Sequence, residues 1–182
     1  MAIDTWAMQF VGRVYFDFRS PAVWIFFRLL GAAAAAGVEL RTDWHPFVGD
    51  PADDAIVTPL AAYEAVRHRD PDRHGAFLLA LLTAVHVGAN DPTDQATLQA
   101  ACEAAGIDPS AVDGAEAFTA KVSDRTAEAT ELGVTVAPTV YRHGPVLHVV
   151  LTPAALRGDP VDRLRTIDAV LEDDAIWKLE KP

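Results

Sequence analysis

Residues 15–24 read YFDFRSPAVW, and this stretch decides how the first part of the chain folds. Apolar and polar side chains alternate in VYFDF, which is the period of a β-strand. Ser20 then stands at a helix N-cap and Pro21 at the first helical position, where the missing N–H of proline costs nothing. The run that follows is almost uncharged, so it predicts a buried helix that ends near Gly37.

A second alternating run, VELRTDWHPF, follows this helix and predicts a strand that stops at Pro46. A strand, a helix and a second strand form a βαβ unit. Such a unit favours parallel pairing of its two strands and a right-handed crossover between them.

Residues 58–132 show the pattern of several helices, each with capping signals at its ends. The first helix is predicted to begin at Thr58-Pro59, and the last is predicted to begin with a capping box formed by Asp113 and Glu116. Four helices are expected, over TPLAAYEAVRHRD, AFLLALLTAVHVGAN, TDQATLQAACEAAG and DGAEAFTAKVSDRTAEATELG.

Two short β-branched runs, VTVAPTVY and VLHVVLT, follow the helical block and are joined by the turn RHGP, which predicts a hairpin. A final helix is expected from Asp159-Pro160. The predicted order of elements is therefore βαβ, a helical block and ββα.

The composition excludes several classes of function. The 182 residues carry a formal net charge of −11, whereas a nucleic-acid surface needs clustered Lys and Arg, so we expect no nucleic-acid partner. No apolar run reaches the roughly 20 residues of a membrane span, and the first residues lack the pattern of a secretory signal. We expect a cytoplasmic protein without membrane contact. The apolar helices of the block leave open a homodimer or internal burial.

The reactive residue types give few catalytic candidates. Cys102 is the single cysteine, which excludes an intrachain disulfide and a dithiol site, and its alanine-rich helix predicts a small buried side chain. The six histidines share no close ligand spacing, so no metal site is predicted, and His86 is interpreted as a satisfied core histidine. No glycine loop for phosphates and no dinucleotide fingerprint is present, so no nucleotide cofactor is implied.

The motifs, in this order, resemble the DsbA-like thioredoxin superfamily. YFDFRSPAVW resembles its active-site entry, WHPF its strand-end motif and GVTVAPTVY its cis-proline segment. The resemblance implies an α/β, thioredoxin-like fold with a core from residues 1–57 and 133–182 and an all-helical insertion over residues 58–132. It also implies a cis peptide bond before Pro138.

Two branches of that superfamily are relevant. In the dithiol branch, which includes the mycothiol-dependent nitroreductases of actinobacteria, the corner is Cys-Pro-x-Cys, and this chain's C-terminal segment is similar to that subgroup's. Here the four positions hold Ser20, Pro21, Ala22 and Val23. In the kappa-class glutathione transferases and 2-hydroxychromene-2-carboxylate isomerases, the corner is Ser-Pro and the serine contacts the thiol of glutathione. The chain matches this second branch at Ser20-Pro21, although Ala22 and Val23 replace the aromatic residues usual there.

The resemblance implies a thiol-cofactor enzyme with Ser20 as its catalytic residue. The hydroxyl would donate a hydrogen bond to the thiolate of glutathione or mycothiol, and the helix dipole would lower the pKa of that thiol. The thiol would then act on an electrophilic substrate by isomerisation or conjugation. The implied cofactor-binding residues are Arg19, Ser20, Pro21, Trp24, Ala137 and Pro138.

Other interpretations of the same residues remain open. Ser20 can be an N-cap without a further function, Trp24 can be a core residue, and Arg19 can be a solvated arginine of a loop. The protein would then be a redox-inactive, thioredoxin-fold binding or scaffold protein. A thiol-disulfide oxidoreductase follows from the family label alone, because the corner lacks the sulfur atoms that this activity needs.

Overall fold

A computed structural model of the protein describes residues 8–50, 54–144 and 146–173. Four strands form one sheet in the order β2-β1-β3-β4. Strands β1 and β2 are parallel, whereas β3 is antiparallel to both β1 and β4. This sheet confirms the α/β, thioredoxin-like fold. The strands are β1 (Gln9–Phe16), β2 (Glu39–Pro46), β3 (Thr139–Tyr141) and β4 (Val146–His148).

Six α-helices lie in the described part of the chain. Helix α1 connects β1 to β2, α2 to α5 lie between β2 and β3 and are called the insertion below, and α6 follows the hairpin. None of these helices is long and apolar enough to cross a membrane. The helices are α1 (Pro21–Ala35), α2 (Asp54–Arg69), α3 (His74–His86), α4 (Gln95–Ala104), α5 (Thr119–Glu131) and α6 (Pro160–Glu172).

Two predicted helix starts are wrong. Helix α2 begins at Asp54 and not at Thr58, so Pro59 lies inside it. Packing stabilises the extra turn, because Ile56 and Val57 contact the core. The stability gained by this packing outweighs the cost of the backbone hydrogen bond that Pro59 cannot donate.

The predicted capping box does not form either. Gly114 adopts a left-handed conformation, with φ of 68°, and caps a short 3-10 helix, Ala115–Phe118, that contains Glu116. Helix α5 therefore starts only at Thr119, and Asp113 is not its cap. At the other end of the chain the prediction is confirmed, since Asp159 accepts hydrogen bonds from two backbone N–H groups of α6.

The insertion buries its apolar helices within the monomer. Helix α3, the most apolar of them, turns one face into the core and leaves only scattered side chains exposed. Internal burial thus accounts for its composition. The buried side chains of α3 are Phe77, Leu78, Leu81 and Leu82.

A cluster of charged and polar side chains, buried at Glu64 and His45, joins the insertion to the sheet. Glu64 of α2 is fully buried, and its carboxylate oxygens lie 2.6 Å from Nε of Arg125 and 2.9 Å from Nζ of Lys121, both on α5. Arg125 also reaches Nδ1 of His45 at 2.8 Å, and Nε2 of His45 lies 2.6 Å from the carboxylate of Asp43. These five residues, Asp43, His45, Glu64, Lys121 and Arg125, are called the charged cluster below.

His45 makes folding depend on pH. Because Arg125 only donates, Nδ1 of His45 must accept and Nε2 must carry the proton given to Asp43. Burial, together with the charges of Arg125 and Arg13, lowers the pKa of His45 below its ordinary value of 6.5, although Asp43 raises it. The folded state therefore keeps a neutral imidazole where the unfolded chain takes up a proton.

We expect His45 to stabilise the protein fully above pH 6.5 and progressively less as the pH falls below that value. Between pH 7.5 and 5.5 the wild type should lose more unfolding free energy than the His45→Gln variant, up to about 1.4 kcal/mol, the limit that applies when only the unfolded chain takes up the proton. Glutamine can keep both contacts and does not titrate in this range. Urea unfolding of both proteins at the two pH values measures the difference. Burial also lowers the pKa of His86, but this residue is present in both proteins, so its contribution cancels. Equal losses in both proteins would contradict this assignment.

Candidate functional site

The corner between β1 and α1 is built around Ser20. The backbone N–H groups of Arg19 and Ser20 both donate to Oδ1 of Asp17, each at 2.7 Å, and this fixes the turn that leaves the strand. Ser20 occupies the N-cap position with extended backbone, but its side chain makes no capping hydrogen bond to the helix. Its hydroxyl instead donates to the carbonyl of Ala137 at 3.2 Å.

The segment opposite this corner contains the cis peptide bond between Ala137 and Pro138, as the resemblance implied. The carbonyl of Pro138 belongs to the sheet, because it accepts from the backbone N–H of Val149 at 2.9 Å. The carbonyl of Ala137 is left to face Ser20. The structure therefore brings Ser20 close to Ala137 and Pro138, which lie more than a hundred residues further along the chain.

The electrostatics of the corner act in two directions. Helix α1 has no acidic residue in its first turn, so the positive end of its dipole at Ser20 is not neutralised from within the helix. Asp17, however, brings a carboxylate to the same corner, and its burial raises its pKa. An anion bound here is attracted by the helix terminus and repelled by ionised Asp17.

Trp24 and His86 form the side of the corner nearest the insertion. The Trp24 ring, one turn along α1 from Ser20, stacks on the imidazole of His86 with 6.1 Å between centroids and 15° between planes. Arg28 places its guanidinium 5.3 Å from the same ring. Trp24 is half-buried and packs against the core, and it is not among the residues that line the described cavities.

His86 is the residue of this region that sequence reasoning misjudged. It is not a satisfied core histidine, since its Nε2 is buried without a hydrogen-bond partner among the described residues. Burial lowers its pKa, while the carbonyl of Phe18 and the charge of Asp17 raise it. It therefore faces the segment that leads into the corner. No local pattern in HVGAN signals this position of the His86 ring, because the groups that act on it, Phe18 and Asp17, come from a distant segment of the chain.

A cavity of about 410 Å³ lies beside the corner. Arg19 forms its near wall, Ala55 of α2 a second wall and residues 89–93, after α3, the remainder. Ser20 itself is not part of the lining, so the space begins one residue away from the hydroxyl. A molecule anchored at Ser20 could extend into it.

The remaining predicted residues occupy plain positions. Pro21 is exposed at the start of α1, and Val23, at the place of the second cysteine of a dithiol corner, is fully buried. Cys102 is buried as predicted, and burial raises the pKa of its thiol to about 11, so it is not a reactive thiolate at neutral pH.

No protein-family model matches this sequence, and no curated protein matches it either. Solved structures do match its fold. A 2-hydroxychromene-2-carboxylate isomerase superposes with a TM-score of 0.65 at 16% identity, over 90% of this chain and 95% of that one. The cytosolic disulfide reductase DsbM from Pseudomonas aeruginosa superposes with a TM-score of 0.60 at 16% identity, over 90% of this chain and 99% of that one. The structure of DsbM with GSH superposes with a TM-score of 0.59 at 17% identity, over 90% of this chain and 100% of that one. DsbA from Mycobacterium tuberculosis superposes with a TM-score of 0.59 at 22% identity, over 89% of this chain and 88% of that one.

Proposed function

We propose that this chain, which has the fold of the DsbA-like thioredoxin-fold proteins, binds a low-molecular-weight thiol, glutathione or mycothiol, between Ser20 and Ala137-Pro138. The thiol then acts on an electrophilic substrate by isomerisation or conjugation. The observation that carries the proposal is the hydroxyl of Ser20. It is at the positive end of α1, opposite the Ala137 carbonyl, and it is not used as a helix cap.

The chemistry follows from one exchange of hydrogen bonds. When the Ser20 hydroxyl rotates away from Ala137, it can donate to a thiolate sulfur, and the freed carbonyl can accept an N–H from the peptide part of the thiol. The dipole of α1 favours the thiolate over the thiol and so lowers its pKa. Ser20 is not the nucleophile, because its hydroxyl donates to a carbonyl and not to a base.

Two further observations support this proposal. Among the proteins that share the fold, DsbM has been solved with GSH and another is an isomerase. The cavity beside Arg19 provides space for the part of the thiol that extends beyond the sulfur.

The test is a calorimetric titration with glutathione and with mycothiol. We expect one of them to bind, and to bind about tenfold more weakly to Ser20→Ala, because a hydrogen bond to a charged group is lost. Ser110→Ala, an exposed serine of the insertion, is the matched control and should bind like the wild type. S-methylglutathione cannot form a thiolate, so its weaker binding should not depend on Ser20. Absence of binding by both thiols at millimolar concentration would refute the proposal.

A second candidate function, a redox-inactive binding or scaffold protein, is favoured by a different property of the same corner. The Ser20 hydroxyl and the Ala137 carbonyl already satisfy each other, and the carboxylate of Asp17 opposes a second negative charge. Such a protein would bind neither thiol. A thiol-disulfide oxidoreductase has the weakest support, since Cys102 is the single cysteine and is buried. An oxidoreductase of this kind would catalyse the reduction of insulin by dithiothreitol. We expect that this protein does not raise the rate of that reduction above the uncatalysed rate.

A further inference from the structure

The insertion carries a second and larger cavity, of about 690 Å³, which is partly open to solvent. Helices α2, α4 and α5, the turns between α4 and α5, and the residue Val48 form its walls. Most of the wall is apolar and built from small side chains. The apolar side chains that line it are Val48, Val57, Ala61, Leu98, Val112, Ala115 and Ala127.

This cavity lies at the same edge of the sheet as the corner. Because β1 and β2 are parallel, Ser20 after β1 and Val48 after β2 leave the sheet at the same edge. The N–H of Val48 donates to the hydroxyl of Thr126 on α5 at 3.2 Å, which holds this wall in place. Phe47, the residue before Val48, is buried in a small apolar cluster against which Ala137 packs.

The lining determines the charge of an occupant. Among the described lining residues, Glu116 is the one ionisable side chain, and none is Lys, Arg or His. An anion would therefore lose its hydration without gaining a counter-charge. Hydroxyl and amide groups are present for a few hydrogen bonds, on Thr58, Gln95, Thr119, Ser123 and Thr126.

We propose that this cavity is a binding site for an uncharged, largely apolar small molecule, such as a fused-ring aromatic compound. Its volume lies within the roughly 300–1,000 Å³ of small-molecule sites. Protein interiors are normally close-packed, and larger side chains at Ala61, Ala115 or Ala127 would fill this space. The site does not require the thiol site, so it goes beyond the function proposed above.

The probe that tests this site is N-phenyl-1-naphthylamine, an uncharged aromatic dye whose fluorescence rises in apolar surroundings. We expect saturable binding with one dye per chain. Ala61→Phe fills the cavity and should weaken binding about tenfold or more through lost apolar contact. Thr119→Phe narrows it from an exposed position of α5 and should do the same, so it decides the test if Ala61→Phe does not fold. Thr166→Phe, on the exposed face of α6, adds the same ring elsewhere and should leave binding unchanged.

Two further titrations complete the experiment. The anionic dye 8-anilinonaphthalene-1-sulfonate should bind at least about tenfold more weakly than the uncharged dye, because the described lining offers its charge no partner. Ser20→Ala should bind the uncharged dye like the wild type, whatever it does to thiol binding. Unchanged dye affinity in folded Thr119→Phe, or equal affinity for both dyes, would overturn the inference.

Discussion

The Glu64→Gln variant is expected to lose about 3 kcal/mol of unfolding free energy, because the charges of Arg125 and Lys121 then lack their buried counter-charge. The amide of glutamine cannot replace the carboxylate. In the native cluster, neither carboxylate oxygen has a hydrogen bond of good geometry, although both lie within ion-pair distance of the cations. The stabilisation is therefore chiefly electrostatic. We place the loss at the low end of the range for breaking a buried pair, because the Lys121 side chain reaches solvent.

Glu39→Gln is the matched control for this measurement. Glu39 also pairs with a cation, Arg41 at 2.8 Å, but the carboxyl side chain is half exposed, and such pairs contribute little. Urea unfolding at pH 7.5 should therefore show a large loss for Glu64→Gln and almost none for Glu39→Gln. Similar losses in the two variants would mean that the charged cluster does not stabilise the fold.

The Phe16→Ala variant is expected to lose about 4 kcal/mol, the cost of deleting a fully buried ring and leaving a cavity. Phe16 ends β1 and makes edge-to-face contacts with three rings, Phe18 at 5.3 Å, Trp44 at 5.7 Å and Tyr63 at 5.0 Å between centroids. Trp44 belongs to β2 and Tyr63 to α2. The ring therefore joins the sheet to the insertion directly beneath the corner.

Phe16→Leu separates the loss of aromatic contacts from the loss of volume. It keeps most of the apolar side chain, so it should lose no more than about 1.5 kcal/mol. Denaturant unfolding of the two variants gives the comparison. A loss below about 1 kcal/mol in Phe16→Ala would show that the neighbouring rings collapse into the space, contrary to this expectation.

Local patterns predicted the order of the elements because each pattern has a local cause. The Ser20-Pro21 pair places the start of the first helix correctly, whereas the alternation in VYFDF, residues 14–18, marks only the end of the first strand, which begins at Gln9 and ends at Phe16. Helix α2 was misjudged because Ile56 and Val57 gain their stability from distant side chains, which no local signal reports. The division of the chain into core and insertion at residues 57 and 133 stays a prediction, and the last part of the C-terminal segment that carries the resemblance, residues 174–182, lies outside the described residues.

The candidate site was only partly predictable, for the same reason. Motifs marked Ser20 and Ala137-Pro138, but the hydrogen bond between Ser20 and Ala137 depends on how the chain closes on itself. Two features of the corner were missed, the carboxylate of Asp17 that holds the turn and the ring of His86 that faces it. Binding of a thiol and its identity remain proposals.

The charged cluster also limits how the insertion can move relative to the sheet. It fastens α2 and α5 to the end of β2, so a rigid-body rotation of the insertion would pivot there. Elsewhere the insertion meets α1 through the stacked rings of Trp24 and His86, and the buried Nε2 of that imidazole has no hydrogen-bond partner among the described residues. The two attachments therefore differ in kind, because ion pairs hold the first and ring contacts the second. A rotation of the insertion is expected to displace the rings before it breaks the ion pairs.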